Sequence, residues 1–180
     1  KVKSNEDLYD AVKAATIIGT LQASYTNFKY LSNTAKELTE TEALLGVSIT
    51  GFLASPDVLL DAVALQTAAA IAVETNEYFS AVLGINPAAR VTCVKPEGTS
   101  SLALGSLYSG IHAAHDRVML RRVQANKLDN VYRHFKDHNP HLCEESAWSA
   151  NNTDDYITFP VLLPEDAVVK GDLTAIEHLD

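Results

Sequence analysis

Four short, apolar, β-branched segments recur along a chain that otherwise favours helix. They are "LLGVSITGF" (Leu44 to Phe52), "RVTCV" (Arg90 to Val94), "VMLRRVQ" (Val118 to Gln124) and "DYITFPVLLP" (Asp155 to Pro164). Each reads as a strand, and helical stretches lie between most of them. Short apolar strands alternating with helices suit a sheet buried on both faces, so the expected class is α/β.

The helical reading starts at Ser4, with Asp7 three positions on as an acidic capping box, and runs to about Tyr30. Leu8, Ala11, Val12, Ala15 and Ile18 recur at three- and four-residue spacing and define its apolar face. "LSNTAKELTETEA" reads as a polar connection. From Ser55 a second helix is expected, with Ser55 as cap, Pro56 in the first position and Gly84 as stop. A short helix is expected near Ser101 to Ser106, an amphipathic one over "KLDNVYRHFKDHN", and a last one beginning in "DLTAIEHLD". The 180 residues read as a single segment that begins and ends inside a larger pattern.

The formal net charge is −9, a poor match to a nucleic-acid-coating surface. A basic cluster hides within it: Arg90, Lys95, Arg117, Arg121, Arg122, Lys127 and Arg133 fall in about a quarter of the chain. No apolar run is long enough to span a bilayer, and "KVKSNEDLYD" does not resemble a signal peptide. Cys93 and Cys143 form no CxxC pair, so two free thiols in a reducing cytoplasm are expected, with Cys93 as a buried packing thiol. No spaced Cys/His set suggests zinc. His134, His138 and His141 with Asp137 could suggest a metal, His134 and His138 standing at i and i+4. A solvated helix end is the better account of "RHFKDHNPH", and no metal site is assigned.

The densest chemistry lies in "VTCVKPEGTSS". Pro96 ends the strand and Gly98 can take a positive φ. Thr99, Ser100 and Ser101 offer hydroxyls at a turn where backbone N–H groups are unpaired. Such a turn can hold an anion, phosphate most often, with Lys95 to neutralise it. It can equally be a helix cap, with Thr99 or Ser100 as the capping side chain. Glu97 opposes an anion unless only its amide is used. The spacing matches neither GxxxxGK[ST] nor GxGxxG.

The order of motifs bears on that choice. "LLGVSITGF", "VKPEGTSSLALG", "SGIHAAH", "RRV" and "FPV" together resemble the C-terminal half of the catalytic barrel of class II, adenosylcobalamin-dependent ribonucleotide reductases. The resemblance implies part of a ten-stranded α/β barrel. It implies that Pro96, Glu97, Gly98, Thr99 and Ser100 clamp the phosphates of a ribonucleotide, with Gly110, Ile111 and His112 near the substrate. Adenosylcobalamin is the implied cofactor. The implied partners are the upstream part of the same enzyme or a second polypeptide, and a thiol reductant such as thioredoxin. Glu97 stands where serine is usual, and "GIHAA" departs from "GIHP". The radical cysteine and its glutamate, a Cys-x-Glu pair that precedes the loop in that family, have no counterpart. Cys143-Glu144-Glu145 fits the spacing but follows the loop, so no catalytic residue is assigned. The competing expectations are a non-enzymatic nucleotide- or phosphate-binding α/β module, and a catalytically dead scaffold or assembly partner.

Overall fold

The computed structural model describes every residue except Lys1, Pro96, Gly98, Thr99, Leu107 to Ser109, His178 and Asp180. The chain forms two compact units, one of Lys1–Ala114 with Asp166–Asp180 and one of His115–Glu165.

The first unit is built on two long helices, α1 (Asn5–Ala23) and α4 (Ala62–Leu83). Ser4 caps α1, its Oγ accepting from the Asp7 amide at 3.1 Å. Asp7 reaches back to the Lys3 amide at 2.9 Å, one residue short of the expected capping box. The helix ends seven residues before Tyr30. Its buried line is Leu8, Val12, Thr16 and Thr20, and Ile18 is exposed. The threonines can go inside because each hydroxyl donates to the carbonyl four residues back, at 2.8 Å.

This line packs toward Ala64, Ala68 and Ala72 of α4, whose small side chains permit a close approach. Asn76 extends the same row and is buried. Its amide donates to Thr20 Oγ1 at 3.0 Å, and its carbonyl oxygen accepts from the Ala88 N–H at 2.8 Å. One side chain thus ties both helices to the segment entering the second strand. Asn76→Ala would leave the half-buried Ala88 N–H without this acceptor and remove a donor from Thr20. We expect a loss of about 2 kcal/mol, read as a lower urea midpoint at unchanged m-value.

Three helix expectations are corrected. "NTAKELTETE" forms α2 (Asn33–Glu42), capped by Ser32 Oγ on the Ala35 amide at 3.2 Å, rather than a bare connection. It buries no residue, so capping and intrinsic propensity sustain it where periodicity gave no signal. Ser55 does not cap the long helix: its hydroxyl donates to the carbonyls of Val2 and Ala54. A single turn, α3 (Pro56–Leu59), intervenes with Pro56 in its first position. Asp61 then caps α4 through the Val63 and Ala64 amides at 2.9 and 3.3 Å. Gly84 stops α4 as expected, with φ +69°. Near the C-terminus, Lys170–Asp172 is one 3-10 turn and no α-helix follows among the described residues. Ala167 and Val169 are buried there, and the Val168 and Lys170 amides donate to the Leu53 and Ala114 carbonyls.

The first two strand segments meet as a short parallel pair, Val47 opposite Thr92. The Val47 N–H donates to the Val91 carbonyl at 2.9 Å, and Cys93 N–H to Val47 at 3.0 Å. Leu45, Val47 and Val91 join the α1–α4 core, whereas Cys93 is exposed, which corrects its reading as a packing thiol. The chain then makes one helical turn, α5 (Ser100–Ala103).

The second unit is a three-stranded antiparallel sheet of β1 (Val118–Asn126), β2 (Cys143–Glu145) and β3 (Asp154–Leu162) in the order β1-β3-β2, with helix α6 (Asn130–His138). Asp129 caps α6 through the Val131 and Tyr132 amides. Pro160 has no N–H to donate, and it lies beyond the reach of β2, which pairs only with Asp155 to Ile157. Along β1, exposed residues alternate with half-buried ones, so this strand is not sandwiched between layers. Helix and sheet are both present, as an α/β chain requires. Among the described residues, however, the named sheet is antiparallel and no ten-stranded barrel is formed.

Candidate functional site

The motifs singled out above meet in two groups, one in each unit. In the first unit, Ser48 Oγ accepts from the Lys95 amide at 3.1 Å, joining "GVSITG" to the "VKPEG" turn. Thr50 Oγ1 accepts from the Gly110 N–H at 2.9 Å, and Gly110 returns its carbonyl to the Gly51 N–H at 2.8 Å. Segments sixty residues apart in sequence therefore converge around Ser48 to Gly51. In the second unit, "RRV" and "FPV" lie on neighbouring antiparallel strands, with Arg121 opposite Phe159. Arg122 is committed to Glu144, Nη2 to Oε1 2.6 Å, and lies over the Tyr156 ring.

Of the five expected phosphate-loop residues, Pro96, Gly98 and Thr99 lie outside the described residues. Glu97 and Ser100 are described. Glu97 has φ +53°, in the left-handed region that ordinarily favours glycine. Its carboxylate accepts the Ser100 hydroxyl through Oε2, and Lys95 Nζ stands 3.8 Å from Oε1. The Glu97 carbonyl accepts from the Ser101 amide at 3.1 Å, which starts α5. The side chain of Glu97 thus folds back onto the turn.

Gly46 makes room for this arrangement. A Cβ there would come within 2.6 Å of Lys95 Cε and 3.3 Å of Cys93 Sγ. The lysine stem lies across the bare glycine. A cavity of about 260 Å3 is lined by apolar residues of α1, Leu8, Val12 and Ala15, and by Ser48, Thr50 and Ser106. Of the substrate-proximal candidates, Gly110 is buried, whereas Ile111 and His112 are exposed. His112 bonds through Nδ1 to the Ala113 carbonyl at 2.8 Å. Ser109 lies outside the described residues.

Sequence reasoning missed a polar hub in the second unit. Asp155, on β3, is 1% exposed. Its Oδ2 accepts from the Tyr132 hydroxyl and from Lys136 Nζ, the latter at 2.7 Å. Lys127 Nζ stands 3.3 Å from Oδ1. Burial pushes the Asp155 carboxyl up, but hydrogen bonds from Lys136 and Tyr132 and the ion pair with Lys127 outweigh it and hold the group below the usual carboxylate range. Burial first, then the bond to Asp155, pushes the Tyr132 phenol well above its ordinary value. The same carboxylate raises Lys136. The only hint in the sequence was Tyr132 and Lys136 at helical i, i+4 spacing.

Among the described residues, no group of three or more His, Cys, Asp or Glu is arranged to hold a metal, and no helix is long and apolar enough to cross a membrane.

No known family profile matches the chain, and no curated protein does. Among solved structures it resembles a crystal structure of a B-12 dependent (class II) ribonucleotide reductase, with a TM-score of 0.62 at 16% identity. The chain shares its fold with a segment of that enzyme. The match covers 91% of this chain and 27% of the other, so the chain spans about a quarter of that protein's length.

Proposed function

We propose that this chain is part of a ribonucleotide reductase, supplying the substrate-phosphate loop and part of the barrel scaffold. The observation that carries the reading is the fold shared with a class II enzyme over nearly the whole chain. The motifs quoted above occur in the order that family implies, and the convergence of Lys95 and Gly110 on Ser48 to Gly51 supports them.

Open strand edges support an incomplete barrel. In the parallel pair, Val47 and its opposing residues spend their backbone groups on each other. The groups of Gly46, Ser48, Thr92 and Val94 face outward, where among the described residues their N–H groups meet no backbone partner. Free edges on both sides are where further parallel strands would add.

In this role the turn after Val94 would hold the phosphates of a ribonucleotide by amides and hydroxyls, Lys95 giving charge, while Gly110, Ile111 and His112 stand by the sugar. Adenosylcobalamin does not fit the residues present. Neither of two cavities in the first unit, of about 260 and 300 Å3, is large enough for a corrin ring. Its contacts, the radical cysteine and the acid/base glutamate would come from the remaining polypeptide. A thiol reductant such as thioredoxin would restore the enzyme from the cytoplasm.

The test is reconstitution. The chain mixed with an upstream half bearing a Cys-x-Glu loop, adenosylcobalamin and a dithiol is expected to form deoxynucleotide. A folded, assembled pair that yields none would refute the reading. The competing reading is a phosphate-binding module without catalysis, for which the turn after Val94 would suffice. Tight calorimetric binding of nucleoside di- or triphosphates by the chain alone, with no product from the pair, would establish that alternative.

A further inference from the structure

The last turns of α6 carry an arrangement unrelated to the phosphate turn. His134 and His138 lie four residues apart on one exposed face, their ring centroids 4.4 Å apart and the planes tilted by 49°. Side chains at i and i+4 stand one above the other on a helix. Nδ1 of His138 lies 2.8 Å from the His134 carbonyl oxygen. A carbonyl only accepts, so Nδ1 carries the proton, and in the neutral ring Nε2 keeps its lone pair for a ligand. Holding one ring nitrogen on a backbone carbonyl is the support that metal-ligating histidines use to fix tautomer and aim.

The spacing fits a shared ion. Two nitrogens at about 2.0–2.1 Å from a tetrahedral metal stand roughly 3.3 Å apart, within reach of rings whose centres are this close. The surroundings do not oppose a cation. The helix ends at His138, so its carbonyl end lends negative potential. Lys136 is turned to Asp155, and Arg133 Nε is bound to the Lys127 carbonyl. Asp137, on the same turn, adds negative charge.

We propose that His134 and His138 form a two-nitrogen chelate for a late first-row divalent metal ion, water completing its coordination. Imidazole pairs select such ions over Mg2+ or Ca2+, and affinity should follow Ni2+ over Co2+ over Mn2+.

Ni2+ titrated calorimetrically into the full chain is the test. One strong site is expected. Each of His134→Ala and His138→Ala should weaken it by about tenfold or more, because a chelate loses the effective concentration of its second donor. His141→Ala, beyond the helix, should leave it unchanged. Circular dichroism checks that the variants fold, and a Ni2+-dependent rise in melting temperature confined to chains with both histidines gives a second reading. Absence of saturable binding, or binding spread evenly over all three variants as an adventitious ion only, would overturn the proposal.

Discussion

Replacing Glu97 with glycine is expected to raise the affinity of the chain for inorganic pyrophosphate or a nucleoside diphosphate by at least about fivefold. The argument is electrostatic. Glu97 keeps its carboxylate on the Ser100 hydroxyl and near Lys95, the two described groups best placed to meet a phosphate. A bound phosphate would face that charge at close range. Two like charges about 4 Å apart repel by roughly 1 kcal/mol in water and about 4 kcal/mol near a protein surface. The lower figure is about fivefold in affinity. Glycine also fits the φ of +53° without the Cβ penalty that glutamate bears there. Glu97→Gln separates the two effects, since it removes the charge and keeps the side chain. Both variants should bind more tightly than the parent in calorimetry at low salt, with the gain shrinking as salt rises. Equal affinity in all three chains would mean that phosphate does not sit by this turn.

Glu97 also shows how much could be read beforehand. The sequence named it as the awkward residue of an anion turn, because charge type is legible from one letter. Where its carboxylate goes was not legible, since that depends on Lys95 lying across Gly46. The strands at Val118 and Asp155 were found because apolar β-branched runs mark buried or paired backbone, whereas the segments at Leu44 and Arg90 form only one parallel bridge, Val47 with Thr92. Their partners were not found. Alternation of strand and helix suggested a sheet buried on both faces, yet β1 and β3 pair antiparallel with β1 exposed at alternate residues, and a short β2 is added from "CEE". Three residues give no period to detect. Helix α2 escaped for a related reason: it has no buried face, and hydrophobic periodicity sees only burial. The face of α1 was misplaced because threonines that satisfy their own hydroxyls can replace aliphatic residues in a core.

Asp155→Ala is expected to destabilise the sheet of the second unit by about 3 kcal/mol, the largest stability loss predicted for the chain. The carboxylate is almost wholly buried and receives Tyr132, Lys136 and Lys127 together. Its removal leaves the Tyr132 hydroxyl buried without this acceptor and the Lys136 ammonium without its counter-charge, while Lys127 keeps Glu145 at 3.9 Å. Breaking a buried pair by deleting one member costs roughly 3–5 kcal/mol. The low end applies because both lysines keep part of their side chains in water. The same cluster sets a pH dependence. Asp155 is held below its unfolded value of about 3.9, so its contribution is complete above that pH and is lost as pH falls through the depressed folded value. Lys136 is shifted the opposite way, so its share is present below about 10.4 and is lost as pH rises through the raised folded value. Unfolding followed between pH 2 and 6 should therefore show an acid loss in the parent that Asp155→Asn makes clearly smaller. An acid limb of equal size in both chains would place the responsible carboxylate elsewhere.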